Sequence, residues 1–257
     1  MLNLPIAVAL QVSRNRLESK TIEHEIELIS SSGASFIELR VDYDPEPAML
    51  DIKNIISLAH KNGLQTILTC RITREGGGFT PESNFHHLKI IKHMVEAKPT
   101  MADVELSNDL EFLSDVVRLC NQAGIRLILS RHDFTSTPPL ERVKKEAELI
   151  ISKALNIVNI RKKDIYIKSI YMAKKIIDNA FPLELVRTIN EKRFQCISFC
   201  MGERGMLSRV GCVLPKKQGN KAFRSPFTYA SLSSEQGTAP GQIDMREMEI
   251  LLSKFGL

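Results

Sequence analysis

Lys168 and His132 offer the most chemistry in this chain, because each is set into or against an apolar, strand-like run. Lys168 lies in Asp-Ile-Tyr-Ile-Lys-Ser-Ile, flanked by Ile165, Ile167 and Ile170. Desolvation in such a run favours the neutral amine. A neutral amine attacks a ketone to give an imine, which is an electron sink for removal of the adjacent proton. His132 closes the run Leu-Ile-Leu-Ser-Arg (127–131). An imidazole of near-neutral pKa can both remove and return a proton. A nearby carboxylate such as Glu75 or Glu105 would hold its tautomer and raise its basicity.

Other charges recur at comparable places. Glu38 and Arg40 stand two apart and so face one side of a strand. Arg71 is followed by Glu75 in Arg-Ile-Thr-Arg-Glu-Gly-Gly-Gly, Asp103 and Glu105 share another apolar run, and Ser208-Arg209 and Thr238 to Gln242 come later. A charge inside an apolar strand is costly unless it is paired. Its repetition at the ends of successive runs points to one convergent site rather than to surface decoration.

The elements that must position these groups alternate regularly. Strands are expected over 5–10, 36–41, 65–70, 101–106, 126–130, 165–170, 194–199 and 228–232. Each is short and rich in Ile, Val, Leu or Phe, as strands buried on both faces should be. Helical patterns fall at 21–31, 48–61, 82–97, 109–122, 140–153, 184–191 and 244–254. Gly33, Gly63 and Gly124 end helices before strands, and Asn108 with Glu111 resembles a capping box. Eight strands alternating with helices predict an α/β chain folded as a single (β/α)8 TIM barrel spanning 1–257. An open doubly wound sheet would carry a Gly-rich turn after the first strand, and Gln11-Val12-Ser13-Arg14 is not one.

Composition excludes several classes. Of 257 residues, 35 are Lys or Arg and 30 are Asp or Glu, giving a net charge of +5 with the signs interspersed. The basic runs Arg161-Lys162-Lys163 and Lys216-Lys217 are short and without interleaved aromatics, so no nucleic-acid partner is expected. The modest positive balance suits a small anionic substrate. Five cysteines with no CxxC pair predict free thiols. Neither a signal sequence nor a run of about 20 apolar residues is visible, so no membrane partner and a cytoplasmic location are expected. His86, His87 and His93 lack carboxylates at ligand spacing, and no metal is expected.

Taken together, Phe-Ile-Glu-Leu-Arg-Val-Asp (36–42), Arg71 with Glu75-Gly76-Gly77, and Ser-Arg-His-Asp-Phe-Thr-Ser-Thr-Pro (130–138) resemble the type I 3-dehydroquinate dehydratase family. So do the Ile-Lys of the sixth strand, Met-Gly-Glu-Arg-Gly-Met-Leu-Ser-Arg (201–209) and Ala-Pro-Gly-Gln-Ile (239–243). The resemblance implies that Lys168 forms an imine with the C3 ketone of 3-dehydroquinate, a small anionic cyclic ketone. It implies that His132, oriented by Glu75, takes the C2 proton and returns a proton to the departing C1 hydroxyl. Arg209, Gln242 and Thr238 would hold the substrate carboxylate, and Glu38, Arg40 and Arg71 the ring hydroxyls. It implies no cofactor and a homodimer. Thr238 stands where the family usually has Ser, the 154–163 segment is longer than usual, and Ser169-Ile170-Tyr171 replaces smaller residues, which leaves Lys174 as the alternative lysine. The basic stretch 215–225 is either a closing lid or a plain loop. The competing readings are an aldolase-type Schiff-base lyase, which would favour Gly-rich phosphate loops after the last two strands, and a non-catalytic barrel used for binding.

Overall fold

Apolar strands without polar alternation can be satisfied only where helices cover both sides or a barrel closes around one. The computed structural model describes residues 3–214, 224–233 and 241–256. Eight strands make up its single sheet: β1 Leu4–Gln11, β2 Ala34–Arg40, β3 Gln65–Thr69, β4 Met101–Glu105, β5 Arg126–Asp133, β6 Ile165–Met172, β7 Gln195–Met201 and β8 Thr228–Ala230. Their hydrogen-bonded order is β7-β6-β5-β4-β3-β2-β1-β8, and every pair is parallel. Sequence neighbours are therefore neighbours in space, and β8 returns to the first strand. The sheet curls into the expected (β/α)8 barrel, nearly closed, whose carboxyl-end mouth collects the residues that follow each strand.

The helices are α1 Arg14–Glu18, α2 Thr21–Ser31, α3 Lys53–Lys61, α4 Asn84–Glu96, α5 Leu110–Ala123, α6 Val143–Leu155, α7 Ala180–Glu191, α8 Met206–Gly211 and α9 Met245–Ser253. Several boundaries differ from expectation for identifiable reasons. Asp109, not Asn108, caps α5 by accepting from the Phe112 amide at 2.8 Å, while Asn108 turns back to donate to the Glu105 carbonyl. The seventh helix starts four residues earlier than expected, because Pro182 lies in the first turn, where its missing N–H costs nothing. The expected helix at 48–61 begins only at Lys53, since Pro47 to Met49 takes a separate 3-10 turn.

The seam of the barrel lies between β7 and β8, where the described residues form no ladder. Helix α8 bridges it: Thr228 donates to the Arg209 carbonyl at 2.7 Å, and Arg209 Nη1 reaches the Tyr229 carbonyl at 3.3 Å. The long connection after α6 enters β6 from the amino-terminal end of the barrel, away from the mouth. It leaves Lys168 in continuous register with Ser130 and Ile197. Thr238 and residues 215–223 of the basic stretch lie outside the described residues.

One buried histidine ties acid stability to the packing of α4 on α5. His87 is only 1% exposed, stacks on Phe112 at 4.6 Å, and has no hydrogen-bond partner for Nε2. Burial, with Arg74 and His86 adding to it, pulls its pKa down to about 4. Between pH ~6.5 and about 4 the unfolded chain takes up a proton that the folded ring refuses, so stability falls as pH falls through that window. The loss is roughly 3 kcal/mol when complete. Chemical denaturation of His87→Leu across this range should show a shallower fall by a comparable amount. An unchanged slope would assign the acid sensitivity to other groups.

Candidate active site

At the carboxyl ends of the strands a recess opens. Glu38 and Arg40 of β2, Arg71 just past β3, His132 of β5, Lys168 of β6 and Arg209 of α8 all line it, with Glu75, Tyr229 and Gln242. Eight of the nine residues to which the resemblance gave a catalytic or binding role thus meet in one place, and Thr238 is the one not described. Lys174, the alternative lysine, is exposed beyond the end of β6. Ile170, Phe199 and Met201 form an apolar wall.

The surroundings of Lys168 correct the sequence reading. By the two-residue alternation of a strand, Ile165 and Ile167 project to the opposite face of β6. The amine instead donates to Asp103 Oδ2 at 3.0 Å and to the Tyr229 hydroxyl at 3.1 Å, and lies 3.6 Å from Glu38 Oε1. The buried carboxylates come from β2 and β4, which no reading of the sixth strand alone could supply. Asp103 is itself clamped by Arg71 Nη2 at 2.9 Å and by the Ser130 hydroxyl at 2.6 Å. Arg71 Nη1 also donates to Glu105 Oε1 at 2.9 Å and to Ser130 Oγ at 2.6 Å. Burial alone would raise the Asp103 pKa, but Arg71 and Lys168 outweigh it and hold the carboxyl below its ordinary range. Glu105 goes the other way: burial pushes its pKa up in spite of Arg71.

His132 is held by Glu75, and this answers which carboxylate orients it. Glu75 Oε2 lies 3.2 Å from His132 Nδ1 and accepts from the His132 amide at 3.1 Å. Ser107 fixes the other carboxylate oxygen at 2.5 Å. Burial would raise the Glu75 pKa, and the hydrogen bonds from His132 and Ser107 bring it below normal. Burial and the cations Arg71 and Lys168 pull the His132 pKa down to about 3, against the opposing pull of Glu75. The ring is therefore neutral near pH 7. With its proton on Nδ1 facing Glu75, Nε2 carries the free lone pair.

The loop that carries Glu75 depends on close backbone approach. A Cβ at Gly77 would stand 1.9 Å from the Arg71 carbonyl oxygen, so only glycine lets the chain double back there. Gly241 does the same beside Gln242: its φ is +63°, and a Cβ would meet the Gly202 carbonyl carbon at 2.3 Å.

Two other groups set the character of the site. Arg40 is bound side-on to Asp42 through two contacts of 2.8 Å. Arg209 is 1% exposed and its guanidinium carbon lies 4.6 Å from the Phe199 ring centroid, yet its Nε and Nη2 have no partner among the described residues. Burial without a carboxylate brings its pKa down to about 10. A buried cation without an anion is costly, none of the described residues supplies one to these two nitrogens, and Arg209 faces the recess. Among the described residues no group of three His, Cys, Asp or Glu could hold a metal ion. His93 is instead within hydrogen-bond distance of the Leu50 carbonyl, at 2.8 Å.

Asp103 and Tyr229 are the site residues that the sequence did not assign. The two-residue spacing of Asp103 and Glu105 was a usable signal for the first. Nothing local marks Tyr229, whose place follows from the pairing of β8 with β1.

Comparison with known proteins gives the family. The sequence profile of the family described as type I 3-dehydroquinase matches residues 9–256. The chain is similar to the 3-dehydroquinate dehydratase of Pyrococcus abyssi, with 28% identity over 239 residues, 92% of this chain and 94% of that protein. It is 33% identical over 222 residues to the 3-dehydroquinate dehydratase of Dehalococcoides mccartyi, covering 86% of each. Among solved structures it resembles the 3-dehydroquinate dehydratase of Aquifex aeolicus, with a TM-score of 0.70, 27% identity and coverage of 100% and 99%. A family profile that spans nearly the whole chain, together with the (β/α)8 barrel, establishes that the chain belongs to the type I 3-dehydroquinase family.

Proposed function

We propose that this chain, a hydro-lyase by its family, dehydrates 3-dehydroquinate to 3-dehydroshikimate with Lys168 as the imine-forming amine and His132 as the proton carrier. The observation that carries this reading is that Lys168, the neutral His132 and Arg209, whose Nε and Nη2 have no partner among the described residues, all open onto one recess. Lys168 gives up a proton to its carboxylate surroundings and adds to the C3 ketone, and water leaves to form the iminium. The iminium withdraws electrons from C2, whose proton His132 Nε2 accepts as Glu75 steadies the forming imidazolium. The resulting enamine expels the C1 hydroxyl, which takes a proton back from His132. Hydrolysis then frees Lys168 and the conjugated product. The step needs no electron acceptor, because the elimination is redox-neutral.

Arg209 is assigned to the substrate carboxylate, with Thr238 and Gln242 assisting. Glu38, Arg40 and Arg71 are assigned to the ring hydroxyls, and Arg71 also fixes Asp103 against Lys168. An aldolase-type reading has no comparable support, since the site presents a buried guanidinium rather than a Gly-rich phosphate loop. The whole chain, 1–257, is assigned to one catalytic barrel. Residence in the cytoplasm is supported by five buried free thiols, as a reducing compartment would keep them. No helix among the described residues is long and apolar enough to cross a membrane. Association as a homodimer rests on the family resemblance.

The test follows the ultraviolet absorbance of the enone as 3-dehydroquinate is consumed, in wild type and in Arg209→Met. Loss of a charge-assisted contact of up to about 3 kcal/mol should raise KM roughly 100-fold with a much smaller change in kcat. The same substitution removes a buried cation that has no anion among the described residues, so the ligand-free variant should melt no lower than wild type. Unchanged KM would refute the carboxylate assignment, and absence of enone formation by wild type would refute the function.

A further inference from the structure

The reading of Lys168 as the imine-forming amine leaves unassigned the group in direct contact with it. Tyr229 is 5% exposed, lines the recess, and lies with its ring centroid 4.4 Å from Lys168 Nζ. Its hydroxyl accepts from that nitrogen at 3.1 Å. Phe227 and Phe199 pack against its ring at centroid separations of 5.8 and 6.1 Å. The hydroxyl is therefore fixed at the reacting atom by an apolar wall on its far side. Asp103 occupies the other near position, but Arg71 and Ser130 saturate one of its oxygens and hold it ionised. A carboxylate held ionised has no proton to donate.

Formation of an imine requires such a donor. When the amine adds to the ketone, the carbinolamine carries N–H on Nζ and O–H on carbon. Its oxygen is two covalent bonds from Nζ, so an adduct whose C–O bond turns toward Tyr229 brings both atoms within reach of the one hydroxyl. We propose that Tyr229 is a catalytic residue for the imine steps, relaying the proton from Lys168 Nζ to the departing carbinolamine oxygen. The phenol oxygen takes the proton on nitrogen as its own proton passes to the hydroxyl group. The C–O bond breaks, its electron pair leaves with the water, and the nitrogen lone pair closes the C=N bond. Tyr229 ends as it began, and the neutral imine and one water balance the carbinolamine. The imine nitrogen then takes back the proton that Lys168 had given to its carboxylate surroundings and becomes the iminium. The same exchange run backwards adds water at product release. A relay suits this phenol because burial, with Glu38 and Asp103 beside it, pushes its pKa far up. It passes a proton on without resting as phenolate. The proposal separates two jobs: His132 serves carbon C2 and the C1 hydroxyl, and Tyr229 serves the nitrogen.

The inference rests on imine formation at Lys168, and the test distinguishes the two. Tyr229→Phe keeps the ring and removes only the hydroxyl. Wild type and variant are mixed with 3-dehydroquinate, quenched with borohydride at successive times, and the adduct on Lys168 is quantified by peptide mass spectrometry. Exchange of the C2 proton with deuterated solvent is measured on the preformed imine. The relay predicts adduct formation slowed by roughly 100-fold, C2 exchange within a few-fold of wild type, and a substrate isotope effect at C2 that falls toward unity as the imine steps become limiting. Adduct formation at the wild-type rate would overturn the relay and leave the Lys168 reading intact. Equal slowing of both steps would also overturn it, since displacement of the lysine alone would account for the loss. No adduct on wild-type Lys168 would overturn both readings.

Discussion

Lys168→Ala is expected to lower kcat/KM by on the order of 10⁴-fold or more, with 3-dehydroquinate still bound at an affinity near wild type. The direction and the split follow from the geometry. Substrate binding is assigned chiefly to Arg209 and Arg40, neither of which is hydrogen-bonded to Lys168; Glu38 loses its ion-pair partner but keeps its hydrogen bond from Thr69. What disappears is the electron sink, without which the C2 proton must leave a carbon activated only by a neutral ketone. A second consequence concerns stability. Lys168 neutralises Asp103 at 3.0 Å and stands near Glu38 at 3.6 Å, all three nearly fully buried. Its removal leaves two carboxylates facing each other with Arg71 as their main remaining cation. The variant should therefore melt below wild type, and Lys168→Met should behave alike, since the cause is unpaired charge rather than lost volume. Equilibrium binding by calorimetry and a thermal melt check both. Turnover within 10-fold of wild type would remove Lys168 from the mechanism.

His132→Ala should cost about 10²- to 10⁴-fold in kcat, yet still form the reducible adduct on Lys168. Glu75 then loses the ring that partners it, but Ser107 continues to hold its other oxygen. Wild type should also keep its activity further into acid than an ordinary histidine allows. Burial and the neighbouring Arg71 and Lys168 hold the imidazole neutral to about pH 3, so the base form is the populated one throughout pH 5 to 7. The acid limb of kcat/KM, which reports the free enzyme, should therefore show no inflection near ~6.5 belonging to His132. An inflection there that vanishes in a His132→Gln variant would contradict the environment described for the ring.

Much of this architecture is legible in the chain because its signals are local. Runs such as Leu127-Ile128-Leu129 and Ile67-Leu68 announce strands buried on both faces, and the recurrence of a charge at their carboxyl ends announces a mouth. The spacing of Glu38 and Arg40 gives their common face directly. What the chain conceals is anything decided between strands. Ile165 and Ile167 suggest a desolvated amine, whereas the amine's real neighbours, Asp103 and Glu38, lie on β4 and β2. Tyr229 reads as one more core aromatic until β8 pairs with β1. The position of α8, six residues long and opening right after a Gly-Glu-Arg-Gly turn, is too short to leave a periodic pattern, although it carries Arg209. The unusual length of 154–163 suggested a displaced lysine. The added chain enters at the opposite end of the barrel, where it has no leverage on the mouth.

The central claim, an imine on Lys168, is tested most directly by borohydride reduction of the wild-type protein in the presence of 3-dehydroquinate, followed by peptide mapping. One adduct is predicted, on the peptide carrying Lys168, dependent on substrate and absent from Lys168→Ala. Turnover without any reducible adduct, or a substrate-dependent adduct on a different lysine, would contradict it.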